Sequence, residues 1–293
     1  MRQAILGAGG VGGLIGAVLA QAGEQVTLLV RPGTESKYPS QLTLESKLGN
    51  ITAPVTVASR LMAPVDVLWI TVKATQLDES LKSVTKGQAA TIVPLLNGID
   101  HVELLRKQFG ADVVVPATIA VESERTTPGH IVHRSPFARL NVASSGKERL
   151  GATIEHLKRF GFDCKFVDDE ATLMWGKLAM LAPIALSTTA IQAPLGEVLS
   201  DPKRAALLES CVREACAVGK AAGASLDPDA IIRTIRGVIP SMRSSMQKDL
   251  AVGNPLELDA IGGPIIRGAK NARLTVTATQ ELVNDVAEAA RNT

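Results

Sequence analysis

The stretch from Gln3 to Ala22 constrains this chain more than any other part of it. An apolar run, Gln3–Leu6, reads as a strand; Gly7-Ala8-Gly9-Gly10-Val11-Gly12 follows with the spacing G-x-G-x-x-G; and Gly13–Ala22 reads as a helix. Strand, glycine turn and helix in this order make a unit suited to a dinucleotide. The first glycine permits the tight turn, the second lets the backbone approach a pyrophosphate, and the third allows close helix–strand packing. The helix N-terminus adds free N–H groups and the positive end of a dipole. The same stretch has a competing reading. Ala4–Ala20 is a 17-residue run of Ala, Ile, Leu, Gly and Val behind Arg2, which is also how a signal peptide or short membrane span begins. Its six glycines, three of them in phosphate-binding spacing, favour the dinucleotide turn, and no other stretch reads as long enough to span a bilayer.

Beyond this unit the chain alternates short apolar runs with helical patterns, the signature of a parallel sheet flanked by helices. Strands are expected at Gln25–Val30, Val55–Ala58, Val65–Val72, Thr91–Leu96 and Val113–Ala117, with helices at Leu77–Val84 and Val102–Phe109. Val65–Val72 is nearly all apolar, as a central strand buried on both faces should be. Pro128-Gly129 then marks a turn between two β-like stretches, Ala117–Glu122 and His130–His133, and Leu140–Ala143 extends this section. A helix at Lys147–Phe160 and a last strand at Phe162–Val167 follow. From Asp169 strand signals almost vanish, and helical patterns occupy about 170–191, 201–223, 227–237, 240–251, 255–272 and 275–290. The expected fold is α/β, with an N-terminal Rossmann-like parallel-sheet domain (1–168, dinucleotide-binding) followed by an all-helical C-terminal domain (169–293, for substrate and dimerisation).

Charge narrows the partners. Thirty-one Lys and Arg against 29 Asp and Glu give a net charge of +2, and aromatics are 3%, so neither the basic excess nor the stacking surface of a nucleic-acid binder is present. Three cysteines, Cys164, Cys211 and Cys216, without a CxxC, suit reduced thiols and a cytoplasmic location.

Ligands of open parallel sheets bind beyond the carboxyl ends of the strands. An NAD site usually carries Asp or Glu after the second strand, to hold the ribose 2′-hydroxyl. This chain has Val30-Arg31-Pro32, and the forked cation of Arg31 suits a 2′-phosphate, hence NADPH. Lys73 ends another strand and suits a phosphate or the nicotinamide side; the Asn97 amide suits ribose hydroxyls. In the second domain, Lys177 opens a run, Leu178–Leu186, that is apolar throughout. A cation there can hydrogen-bond a carbonyl oxygen and deliver a proton as hydride reaches the carbon, while burial lowers its proton affinity. A lysine snorkelling from an apolar helix is the plainer alternative. Glu257, at the start of a helical pattern, can orient that lysine or bind a substrate hydroxyl, or simply face a helix dipole; the serines at 244 and 245 can hold a substrate carboxylate.

Taken together, Gly7–Gly12, Thr71-Val72-Lys73-Ala74, Asn97-Gly98, Pro128-Gly129-His130-Ile131-Val132-His133, Trp175-Gly176-Lys177-Leu178, Ser244-Ser245-Met246 and Glu257-Leu258-Asp259 resemble the ketopantoate reductase (2-dehydropantoate 2-reductase) family over nearly the whole chain. The resemblance implies NADPH as hydride donor, bound by Gly7, Gly9, Gly10, Val11, Gly12, Arg31, Lys73 and Asn97, and a site in a cleft between the two domains. It implies Lys177 as general acid, with Glu257 and Ser245 contacting a small 2-oxo acid and Lys73 and Asn97 lining the nicotinamide and substrate side. The chain departs from the family where asparagines usually follow the lysine by four and eight residues: here stand Leu181 and Ala185, with Met242 in place of a third. A pocket so altered loses polar partners for a substrate hydroxyl. The expected reaction is therefore reduction of ketopantoate to pantoate, with a more apolar carbonyl substrate, or an NADPH-binding sensor without turnover, as alternatives.

Other features read as structural. His130 and His133, at i and i+3 of a strand, face opposite sides and cannot share one ion, so no metal is expected. Cys211 and Cys216 pack in a helix, Trp69 belongs to the core, and Arg125, Arg134 and Arg139 lie on a solvated face. Glu209 and Glu214 face solvent. The helical domain has apolar surface enough for a homodimer; no membrane and no nucleic acid are expected as partners.

Overall fold

A computed structural model describes residues 1–292. The chain forms two compact units: Met1–Leu96 with His101–Asp168, and Asn97–Asp100 with the residues from Asp169 onward. A first unit of unbroken residues 1–168 would include Asn97–Asp100; these cluster instead with the helices.

The first unit is α/β and carries a five-stranded, wholly parallel sheet. Its strands are β1 (Arg2–Leu6), β2 (Gln25–Leu29), β5 (Thr56–Ala58), β6 (Val65–Ile70) and β7 (Ala89–Pro94), in the order β5-β2-β1-β6-β7. The helices α1 (Gly10–Gln21), α2 (Leu77–Leu81), α3 (Asp100–Phe109) and α4 (Lys147–Phe160) also fall in this stretch, the first residue of α3 excepted from the unit. Burial on both faces explains the continuous apolar strands: Val67, Leu68, Trp69 and Ile70 of β6 are all fully buried. The Trp69 indole N–H donates to Gln3 Oε1 at 2.9 Å, which satisfies two polar groups inside the sheet. The chain runs from β1 to β2 on one side and later returns to pair β6 on the other. The order therefore reverses at β1, and the crevice of such a sheet opens at its carboxyl end.

Two smaller sheets complete the unit. One has the order β4-β3-β10-β9, from β3 (Gln41–Ser46), β4 (Ile51–Pro54), β9 (Ser123–Thr127) and β10 (His130–His133); the other has the order β12-β11-β8, from β8 (Ala117–Ala120), β11 (Ala138–Ala143) and β12 (Phe162–Val167). Residues 41–54 carry no continuous apolar run. They alternate, with Leu42, Leu44, Ile51 and Ala53 buried and their neighbours turned outward. The expected strand at Val113–Ala117 is absent. A short 3-10 turn covers Ala111–Val113, Val114 makes one parallel bridge to Ile92, and the strand starts at Ala117. Pro116, which has no N–H to give a ladder, stands between.

The second unit is helical: α5 (Glu170–Ala190), α6 (Leu195–Ser200), α7 (Pro202–Ala221), α8 (Pro228–Arg236), α9 (Ser245–Ala251), α10 (Leu258–Ala272) and α11 (Thr277–Arg291). The Asp169 side chain caps α5 by accepting from Thr172 N–H at 3.0 Å. Helix α5 is the core element, its Leu178, Ala182 and Leu186 packing with Leu208 and Val212 of α7 and Ile261 and Ile265 of α10. The expected helix at 240–251 starts only at Ser245, where Ser244 caps it, and α6 was not foreseen in the pattern.

Two further expectations are corrected. Helix α5 is itself long and apolar enough, by length and composition, to cross a membrane; 67% of its apolar window is buried inside the chain, as in a core helix. Glu214 does not face solvent. It caps α11, accepting from Ala278 N–H (2.8 Å), Thr279 N–H (2.7 Å) and the Thr279 hydroxyl (2.7 Å). The cysteines are buried, and desolvation pushes the thiols of Cys164 and Cys211 up to about 12. His133 is buried, its ring hydrogen-bonded to Ser46 and Ser135, while His130 bonds Thr126 and Glu45.

Candidate active site

The glycine turn lies at the carboxyl end of β1. Gly7 has φ +104, a conformation open to glycine, and an added Cβ would lie 2.7 Å from the Val72 side chain. Gly9 is the N-cap of α1, and a Cβ there would meet no protein atom within 4 Å, so its backbone faces the open space a pyrophosphate needs. Among the described residues no side chain caps α1 and no acid lies in its first turn. The first-turn N–H groups, including those of Val11 and Gly12, are thereby left to an external acceptor, in keeping with an anion. Gly10 has a different reason to be glycine: a Cβ would sit 2.0 Å from the Ser123 carbonyl oxygen, and the Ser123 hydroxyl donates to the Gly10 carbonyl at 2.9 Å. Strand β9 thus presses on the turn, a contact that no sequence signal announces. Nearby, Arg31 is exposed just past β2, and Lys73 is half-buried at the start of a 3-10 turn after β6.

The second unit gathers Asn97, Lys177 and Glu257. Glu257 is the N-cap residue of α10, but its side chain makes no cap bond; 7% exposed, its Oε2 accepts from Asn97 Nδ2 at 3.1 Å. Lys177 lies in the second turn of α5, and burial pushes its ammonium down to about 8, while the Glu257 carboxylate pulls the other way. A lysine so placed gives up its proton far more readily than a solvated one. Gly98 (φ +82) lets the Asn97 segment lie flat on α10: a Cβ would be 2.2 Å from the Ala260 carbonyl oxygen. Pro264 has no N–H for that carbonyl, which leaves it turned toward Gly98.

Of the two adjacent serines, Ser244 is buried and structural. Its hydroxyl accepts from Gln247 N–H at 3.1 Å and hydrogen-bonds Thr188 at 2.9 Å. Ser245, the first residue of α9, is exposed. Along α5 the face bearing Lys177 continues through half-buried Leu181 to buried Ala185, an apolar track. The sequence reading missed Arg267, whose guanidinium bonds both Asp100 and Asp259. Its partner Asp100 is 167 positions away, so no local pattern marks it.

A glycine turn of nucleotide-binding spacing in one unit and a lysine of lowered proton affinity in the other accompany the fold of an oxidoreductase that uses a nicotinamide cofactor. The chain belongs to the ketopantoate reductase family. Residues 3–146 match the family profile "Ketopantoate reductase PanE/ApbA", and residues 170–290 match "Ketopantoate reductase PanE/ApbA C terminal". It is 32% identical over 273 residues to 2-dehydropantoate 2-reductase of Caulobacter vibrioides, covering 90% of each chain. It is similar in structure to a PanE/ApbA family ketopantoate reductase from Ralstonia eutropha JMP134 (TM-score 0.86, 26% identity, 100% and 99% of the chains covered). D-mandelate dehydrogenase in a ternary structure with NADH and anilino(oxo)acetate shares the fold (TM-score 0.88, 21% identity, 100% and 99% covered).

Proposed function

We propose that this chain reduces a 2-oxo acid with NADPH, and that the reaction is 2-dehydropantoate (ketopantoate) to pantoate. The observation that carries the reading is the Lys177–Glu257–Asn97 cluster, in which a lysine held near 8 stands under the influence of a buried carboxylate. The open backbone of Gly9 and the uncapped start of α1 fit the cofactor pyrophosphate, Arg31 suits its 2′-phosphate, and Lys73 a phosphate or the nicotinamide side. When bound, the reduced nicotinamide supplies hydride to the carbonyl carbon. The Lys177 ammonium donates a hydrogen bond to the carbonyl oxygen and transfers its proton there as negative charge grows on that atom. Glu257 orients the ammonium and offers an acceptor to the substrate, Asn97 fixes the Glu257 carboxylate, and exposed Ser245 binds the substrate carboxylate. The product is a 2-hydroxy acid; Lys177, left neutral, regains a proton from solvent.

A second reading concerns the substrate alone. Leu181 and Ala185 offer no partner to a hydroxyl along the face below Lys177, which favours a 2-oxo acid with an apolar chain. The test is NADPH oxidation with ketopantoate and with aliphatic and aromatic 2-oxo acids, NADH running beside NADPH. Turnover of ketopantoate well above the apolar acids supports the first reading, and the reverse order supports the second. NADPH binding without turnover of any of them overturns both and leaves a sensor.

A further inference from the structure

Residues Asn97–Asp100 keep company with the helical unit: Ile99 packs against its apolar core, and polar contacts fix the residues on either side. Asn97 donates to Glu257, Gly98 lies against the Ala260 carbonyl, and Asp100 is gripped by Arg267 of α10. The grip is made by the guanidinium fork. Nε and Nη2 donate to Asp100 Oδ2 at 3.2 and 2.6 Å, while Nη1 donates to Asp259 Oδ1 at 2.7 Å and Nη2 to the Asp259 carbonyl at 3.3 Å. One rigid cation therefore spans two carboxylates: Asp100 stands three residues after Asn97, and Asp259 two residues after Glu257. We propose that Arg267 is a positioning residue for the reaction: its fork sets the register between the Asn97 segment and the start of α10, and so aims the Asn97 amide at Glu257.

Geometry rather than ion-pair strength gives this fork its effect. All three side chains are about half-exposed or more, at 48%, 54% and 83%, and pairs in such surroundings contribute little to stability. A planar fork bonded to two carboxylates does, however, fix direction as well as distance, which a point charge does not. Small displacements near reacting groups lower rates far more than they lower stability. Arg267 acts through Asp100 and Asp259, the two carboxylates its guanidinium holds.

The inference rests on the reading of Lys177, Asn97 and Glu257 as the reducing site, and its test separates the two. Arg267→Met and Arg267→Lys are compared with Arg213→Met, which breaks the Arg213–Asp229 pair elsewhere in the same unit. With whichever 2-oxo acid the protein reduces, Arg267→Met is expected to lower kcat about tenfold with the melting temperature and NADPH affinity unchanged. Arg267→Lys restores part of the loss and Arg213→Met has no effect. In an Asn97→Ala background, Arg267→Met should lower kcat no further, because the two substitutions break one connection. The side-chain amide resonance of Asn97 in the free protein should shift in Arg267→Met and stay in place in Arg213→Met. Full kcat in Arg267→Met, additive losses in the double variant, or an unmoved Asn97 resonance would each overturn the proposal. Should the protein reduce no 2-oxo acid, the functional reading fails, and the Asn97 resonance alone decides whether the fork sets that amide.

Discussion

The glycine turn and the lysine cluster are built from opposite materials. The turn is backbone: Gly7 takes a left-handed conformation, Gly9 leaves space, and α1 lends N–H groups without a side-chain cap. The cluster is side chain: an ammonium on α5, a carboxylate at the head of α10 and an amide from the Asn97–Asp100 segment, brought together across 80 and 160 positions of sequence. A backbone site depends on what residues lack, and a side-chain site on what they carry and what surrounds it. The first is therefore sensitive to added atoms, by clash at Gly7 and Gly10 and by lost open space at Gly9, while the second is sensitive to changes of charge or solvation.

Four substitutions put that contrast to work. The largest effect belongs to the cluster: Lys177→Ala should lower kcat about 10²–10⁴-fold, the span of a general acid, with NADPH affinity retained, measured by steady-state kinetics and by cofactor fluorescence titration. The glycines divide next. Gly9→Ala should weaken NADPH binding by about tenfold or more, because the added methyl group fills the space left for the pyrophosphate and holds it off the N–H groups, at unchanged stability. Gly10→Ala, with its Cβ against the Ser123 carbonyl, should lower stability by about 1–3 kcal/mol in denaturant unfolding. Equal destabilisation by both would mean that the turn is packing rather than a cradle. Arg31→Ala should narrow any preference for NADPH over NADH by about tenfold, read from the ratio of kcat/KM values; an unaltered ratio would remove Arg31 from the site.

The smallest effect is on stability and pH. In the unfolded chain Lys177 holds its proton to about 10.5, and in the folded one only to about 8. Between those values the unfolded state binds more protons, so stability rises with pH across that window, and the folded protein bears the full penalty below it. Lys177→Met should therefore raise the melting temperature at pH 7, on the order of 2–4 °C, while the wild-type reduction rate falls as pH climbs through about 8. A melting temperature that drops in Lys177→Met would place the ammonium in a stabilising pair instead.

The same contrast governs what could be read in advance. The turn was legible because its requirements are local: three glycines, a strand before and a helix after occupy one stretch of chain. Lys177 was legible only because a charge opening an apolar run is conspicuous, and Glu257 only as its chemical complement. Their pairing with Asn97, the Ser123 contact on Gly10 and the Arg267 fork depend on tertiary neighbours that leave no periodicity behind. In the fold, β6 and α4 announce themselves by continuous or 3.6-period apolar positions. Strand β9 does not, since every residue from Glu124 to Thr127 is exposed. Glu214 was misread for a related reason. A carboxylate beside an arginine looks solvated until another helix end arrives to use it.

Helix α5 is both the beam of the helical unit and the mount of Lys177. Its apolar packing keeps Lys177 half-buried and partly desolvated. Any loosening of this core that lets water reach the ammonium restores its affinity for the proton. On the proposed role of Lys177, the pH span of the reduction is therefore set in part by the apolar side chains packed around α5.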